Sequence, residues 1–137
     1  MKFILDNLSI GNFHEGQAPP PEIDALLCVA REIDLTPVDR LYCKVPIVDM
    51  QPIPAGELRE AVEFIAGNIL AHKIMVFCNA GVGRSPSVVV AYLCCKFGYG
   101  FGQAVEHVAR CKPFMSILPN LIMSIEELRK QACEKNP

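Results

Sequence analysis

The chain has no run of Lys and Arg, and its formal net charge is only −2 over 137 residues. That balance offers no general attraction to DNA, RNA or an anionic membrane surface, so neither nucleic acid nor membrane is expected as a partner. Long hydrophobic stretches are missing too. The longest apolar run, Val88 to Cys95, is far too short to span a bilayer. An export signature is absent, because Met1-Lys2-Phe3-Ile4-Leu5 meets Asp6 too early for a signal peptide. The seven cysteines are odd in number, form no CxxC pair, and join no His/Cys cluster at zinc spacing. Nothing in the pattern calls for a metal or another cofactor. Without an export signal the thiols read as reduced, in a cytoplasmic protein. Cys28, Cys43, Cys94 and Cys111 lie in apolar runs, where a small buried hydrophobe is the simplest reading. His14, His72 and His107 are scattered and imply only surface or capping roles. No repeat and no dividing linker is present, so 1–137 reads as a single domain, expected to be monomeric.

What is present is an alternation of short β-type runs with longer amphipathic stretches, which predicts an α/β fold. Half the residues are hydrophobic (51%) and a fifth charged (20%), enough to bury one core. Strands are predicted at Lys2 to Leu5, Leu8 to Ile10, Ala25 to Val29, Leu41 to Val45 and Ile74 to Phe77. Leu26-Leu27-Cys28-Val29 and Ile74-Met75-Val76-Phe77 are continuously apolar, as strands covered on both faces of a mainly parallel sheet must be. Helical spacing marks Glu57 to His72, Ser85 to near Gly98, Gly102 to Cys111 and Pro119 to Glu134. Gln17 to Pro21, with three consecutive prolines, reads as a loop.

The chemistry concentrates at Cys78-Asn79-Ala80-Gly81-Val82-Gly83-Arg84-Ser85. A buried strand leads into a glycine-rich turn and then a helix N-terminus, where free N–H groups and the positive end of the helix dipole converge on an anion. Gly81 and Gly83 let successive amides face inward as a nest. The planar guanidinium of Arg84 can hold two phosphate oxygens together. The amide nest, the helix terminus and the nearby cation all favour the thiolate form of Cys78, placed at the bottom of the cradle for in-line attack on phosphorus. An ordinary buried strand cysteine followed by a turn would need none of these features together.

The stretch Val76 to Ser87 resembles the CxxxxxR(S/T) signature of the protein tyrosine phosphatases, and Arg84-Ser85-Pro86-Ser87 is especially similar to their small dual-specificity branch. Leu8-Ser9-Ile10-Gly11-Asn12 resembles the strand and glycine near the start of that branch. Ile23 to Glu32 is similar to its following helix-to-strand segment, and Pro119-Asn120 to the pair that opens its last helix. Roughly residues 5 to 130 can be laid onto the family. The resemblance implies a twisted, mainly parallel sheet of about five strands flanked by helices. It also implies phosphorylated proteins as substrates, and phosphate held by Asn79, Ala80, Gly81, Val82, Gly83 and Arg84. Leaving-group protonation and water activation need a carboxyl group above the pocket. Asp49, on the proline-bounded loop of Val45 to Pro52, matches the family's upstream aspartate, with Asp34 and Asp39 as weaker alternatives in the preceding connection. By the same analogy Ser85 helps the cysteine leave the phosphoenzyme, while simple helix N-capping would also explain it.

Two positions depart from the family pattern. Phe77 stands where most relatives carry a histidine, credited with ordering the loop, and Gly83 stands where small members commonly have serine. Lysines that would meet the extra phosphates of an inositol lipid are absent from the loop. Chain length implies a shallow pocket open to phosphoserine and phosphothreonine as well as phosphotyrosine. A phosphoprotein-binding module without turnover is the alternative that Phe77 keeps open. Sulfur transfer is disfavoured by the loop length, and arsenate reduction by the helical placement of Cys94 and Cys95. Phe101 and Phe114 are candidates for the pocket border, with core packing the competing role.

Overall fold

A computed structural model describes residues 1–35 and 38–135, the last four of these as backbone only. Among the described residues five strands form one sheet in the order β1-β2-β5-β3-β4. They are β1 (Lys2–Leu5), β2 (Leu8–Gly11), β3 (Ala25–Cys28), β4 (Leu41–Lys44) and β5 (Ile74–Phe77). β1 runs antiparallel to β2, and every other neighbouring pair is parallel. β5 is central, with Val76 opposite Ile10 on one side and Leu27 on the other. All four of its residues are buried, which is why its sequence shows no polar alternation. The edge strand β1 exposes Lys2 and Phe3 and buries Ile4.

The helices that accompany the sheet among the described residues are α1 (Phe13–Gln17), α2 (Ala55–Asn68), α3 (Arg84–Lys96), α4 (Phe101–Cys111) and α5 (Leu121–Lys135). α3 is buried from Arg84 to Cys94, so Val88 to Leu93 is a core helix. It packs between α2 and α4, with α5 lying across α2 and α3. Arg129 of α5 donates to the Cys94 and Tyr99 carbonyls and so ties α5 to the end of α3. Burial pushes the thiols of Cys28, Cys43, Cys94 and Cys95 upward, which favours their protonated form. No helix among the described residues is long and apolar enough to cross a membrane.

Several boundaries differ from those the sequence predicts. β3 and β4 each stop one residue early, at Cys28 and Lys44, and β2 runs one residue further, to Gly11. α2 ends at Asn68 and not at His72, because the Asn68 carbonyl accepts from both Ala71 and His72 and closes the helix into a turn. α1 is a correction: the segment Ile23 to Glu32 contains β3 and a turn but no helix, and the helix before β3 is α1. Pro19, Pro20 and Pro21 explain the difference, since they lack N–H donors and bias the chain away from helix. A signal for α1 was present in Asn12 and Glu15, which form a reciprocal capping box with both bonds at 3.0 Å.

Candidate active site

The site begins where β5 ends. Cys78 follows Phe77 and is 2% exposed, and residues 79–83 curl back before α3 starts at Arg84. Gly81 makes the curl possible. Its φ is +73°, and a Cβ there would sit 2.7 Å from the Gly11 carbonyl oxygen of β2, so neither conformation nor space admits a side chain. The Asn79 carbonyl accepts from the Phe13 N–H at 2.9 Å, tying the loop to the first residue of α1. Gly83 is different. Its φ is −118°, and a Cβ would meet Leu118, Ser116 and Asp49 at 3.6 to 3.8 Å, so the backbone would accept serine there.

Phe77 is fully buried, and its ring lies against Gly16 of α1 so closely that a Cβ on Gly16 would be 2.5 Å from two ring carbons. The phenyl ring thus fills the space behind the loop by packing, where a histidine would have worked by hydrogen bonding. The pair Gly16 and Phe77 is one fitted unit.

Arg84 is also only 2% exposed. Its Nη1 donates to Glu32 Oε1 at 2.6 Å and to the Ile47 carbonyl at 3.1 Å, and its Nη2 donates to Glu32 Oε2 at 2.6 Å. A guanidinium has five N–H donors, so two remain: one on Nε and one on Nη2. They belong to one edge of the plane, adjoining at Nη2 the edge that Glu32 holds. Nε is buried, and among the described residues it has no hydrogen-bond partner. The arrangement presents a ready two-pronged fork for an oxyanion.

Sequence reasoning missed Glu32. The signal available was its place just beyond the carboxyl end of a parallel strand, beside the strand that leads into the loop, where ligands gather in such sheets. The Arg84 guanidinium holds the Glu32 carboxyl well below the usual carboxylate range, at about 2, and Glu32 in turn raises Arg84. A depressed carboxyl pKa adds stability above the ordinary carboxylate pKa and loses it as pH falls through the depressed value. Glu32→Gln is therefore expected to lower the unfolding midpoint at pH 6 to 7. Its gap from wild type should narrow as pH falls from about 4.5 toward 2, read by denaturant melts across that window.

Asp49 reaches the same cleft. Its Oδ1 lies 3.9 Å from Arg84 Nε and accepts the Met50 N–H at 3.0 Å. Ser85 behaves differently from the capping role that the sequence allowed. The N-cap of α3 is Gly83, without a side-chain bond, and Ser85 lies inside the helix, fully buried, with no partner for its Oγ among the described residues. Ser87 does the tying, although it had not been singled out. Its Oγ donates to the Gly83 carbonyl at 2.8 Å and accepts the Leu118 N–H at 2.9 Å. With the Ser116 N–H bonded to the Val82 carbonyl at 2.8 Å, this fastens the segment before α5 to the loop.

Cys78, Ala80, Val82, Gly83, Arg84 and Asp49 thus line one cleft of about 320 Å³, closed on the far side by Met50 and Ser116 to Pro119. Asn79, Gly81 and Ser85 do not line it. Asn79 is exposed and Gly81 is packed on β2. Asp34 and Asp39 are outside it, exposed and paired with Lys44 and Arg40. Phe101 is half-buried against the core and Phe114 is 92% exposed, so neither borders the cleft.

Residues 18–131 match the family described as dual specificity phosphatase, catalytic domain. The chain belongs to that family. It is 25% identical over 138 residues to dual specificity protein phosphatase 15 of Mus musculus, covering 93% of this chain and 57% of that protein. It is 33% identical over 101 residues to dual specificity protein phosphatase 1 of Arabidopsis thaliana, covering 69% of this chain and 48% of that protein. The chain spans about half the length of the curated relatives it matches. The crystal structure of DUSP15 superposes with a TM-score of 0.81 at 23% identity, over 98% of this chain and 96% of that one. The shared fold is the cysteine-phosphatase sheet and helix arrangement described above.

Proposed function

We propose that this chain hydrolyses phosphate monoesters on proteins through a cysteinyl-phosphate intermediate. The observation that carries the proposal is the pair of donors left on Arg84 by Glu32 and Ile47, on a residue that lines one cleft with Cys78 and Asp49. The Arg84 fork, with the amides of residues 79–83, takes the phosphate oxygens. The Cys78 sulfur attacks phosphorus and forms the S–P bond as the ester P–O bond breaks. Protonated Asp49 gives its proton to the departing oxygen. In the second step Asp49, now a carboxylate, takes a proton from water as the water oxygen attacks phosphorus. The S–P bond breaks, and the Ser85 hydroxyl, without another partner among the described residues, donates to the leaving sulfur. A phosphorylated inositol ring fits less well, since Arg84 is the one cation lining the cleft among the described residues.

The purified chain is expected to hydrolyse an aryl phosphate with EDTA present and to be blocked by vanadate. Asp49→Ala should slow turnover about 10²-fold for poor leaving groups and much less for p-nitrophenyl phosphate, which needs little protonation. An equal loss across leaving groups would remove Asp49 from the proton transfer. Phe77 favours one other reading, a phosphoprotein binder without turnover. Phosphate release that Cys78→Ser abolishes would eliminate it.

A further inference from the structure

The mouth of the cleft is apolar. Among the described residues two other than glycine have positive φ, Met50 and Asn120; asparagine tolerates that conformation, and of the two only Met50 lines the cleft. Cys78 and Arg84 form a floor that is 2% exposed, while Met50, Val82 and Ile117 stand at the lip with 80%, 38% and 37% exposure. Met50 has φ 61°, a left-handed conformation that is uncommon for residues other than glycine. Neither burial nor backbone preference accounts for holding a flexible hydrophobic side chain in water at that point, and strain of this kind gathers at ligand clamps. The strained residue is anchored to the reacting groups, because its N–H is bonded to Asp49 Oδ1. The opposite wall is equally fixed, through Ser116 to Val82 and Leu118 to Ser87. Apart from Arg84 and Asp49 no charged residue lines the cleft among the described residues.

We infer that Met50 and Ile117 form a collar that selects an aromatic phosphate ester, so that phosphotyrosine is preferred over phosphothreonine and phosphoserine. The inference rests on the proposed phosphate site at Cys78 and narrows its substrate. A phenyl ring is long enough to carry phosphorus past the lip to the buried sulfur, with its faces against a thioether and an aliphatic side chain, both favourable contacts. A phosphothreonine would have to draw the peptide backbone into the mouth to reach the same depth. Its amides would then lose water against Met50 and Ile117 without gaining partners. The collar thus reverses the open selectivity that chain length alone implies.

The test uses the Cys78→Ser chain, and two peptides of one sequence carrying phosphotyrosine or phosphothreonine, with binding read by fluorescence anisotropy. The phosphotyrosine peptide is expected to bind about tenfold tighter. Adding Met50→Ala should weaken it about fivefold, leave the phosphothreonine peptide within about twofold, and leave inhibition of the parent chain by inorganic phosphate unchanged. The same ratio should appear in kcat/KM when Met50→Ala is made alone in the Cys78 chain. Equal affinity for both peptides, an equal loss of both in Met50→Ala, failure of both to bind, or preference for phosphatidic acid in phosphatidylcholine vesicles would each overturn the collar. The hydrolytic reading is judged separately. A Cys78 chain that releases no phosphate yet shows the binding ratio would defeat hydrolysis and leave the collar standing.

Discussion

A serine in place of Cys78 is expected to reduce hydrolysis of p-nitrophenyl phosphate by at least about 10⁴-fold while phosphopeptide binding persists. The size of the loss follows from what surrounds position 78. A serine hydroxyl must give up its proton before it can attack phosphorus. The ionisable groups that share the cleft are a cation, Arg84, and a carboxyl group, Asp49, which the first step requires in its protonated form. The substitution exchanges one small side chain for another at a site that is 2% exposed, so the loop and its amides should keep their places. Steady-state kinetics with a binding measurement on the same preparation separates the two effects. Near-normal turnover in the variant would refute the covalent mechanism.

Arg84→Lys should also cost about 10³-fold in kcat/KM and weaken vanadate inhibition in parallel. The lysine keeps the charge and most of the length, yet an ammonium group has three donors and no planar edge. Arg84 fills three positions by holding both Glu32 oxygens and the Ile47 carbonyl, and two donors remain for phosphate. A lysine that satisfies Glu32 has little left to grip phosphate, and one turned toward phosphate leaves Glu32 and Ile47 without their donor. Denaturant melts will show whether the protein remains folded. A variant that is stable and equally active would mean that charge alone suffices and that the fork is incidental.

The parts of the fold and site that could be read from sequence share one property: their signal is local. The strand Ile74–Phe77, the two glycines and Arg84 lie within a dozen residues, and the steric needs of a phosphate cradle constrain all of them together. Asp49 was reachable through its place on a proline-bounded loop, because the distance from loop to cleft is set by the family fold and not by composition. Glu32 was not reachable that way. It meets Arg84 across 52 positions of sequence, and an exposed-looking glutamate after a strand carries no mark of its partner. Ser87 escaped notice for the same reason, since its link to Leu118 depends on where the chain returns after α4. The capping role that the sequence allowed Ser85 as an alternative is excluded because the N-cap of α3 is Gly83, two residues earlier. The five-residue α1 was short enough for the prolines after it to outweigh its capping box.

The contact between Gly16 and Phe77 limits how related chains can diverge. With a phenyl ring at 77, any side chain at 16 collides with it, and with a smaller ring at 77 the glycine leaves space unfilled behind the nucleophile. The two positions are therefore expected to change together across descendants of this chain. A histidine introduced at 77 alone would inherit a setting shaped for a different residue. Restoring the family's usual loop support would take a matched change on α1, some sixty residues earlier in the chain.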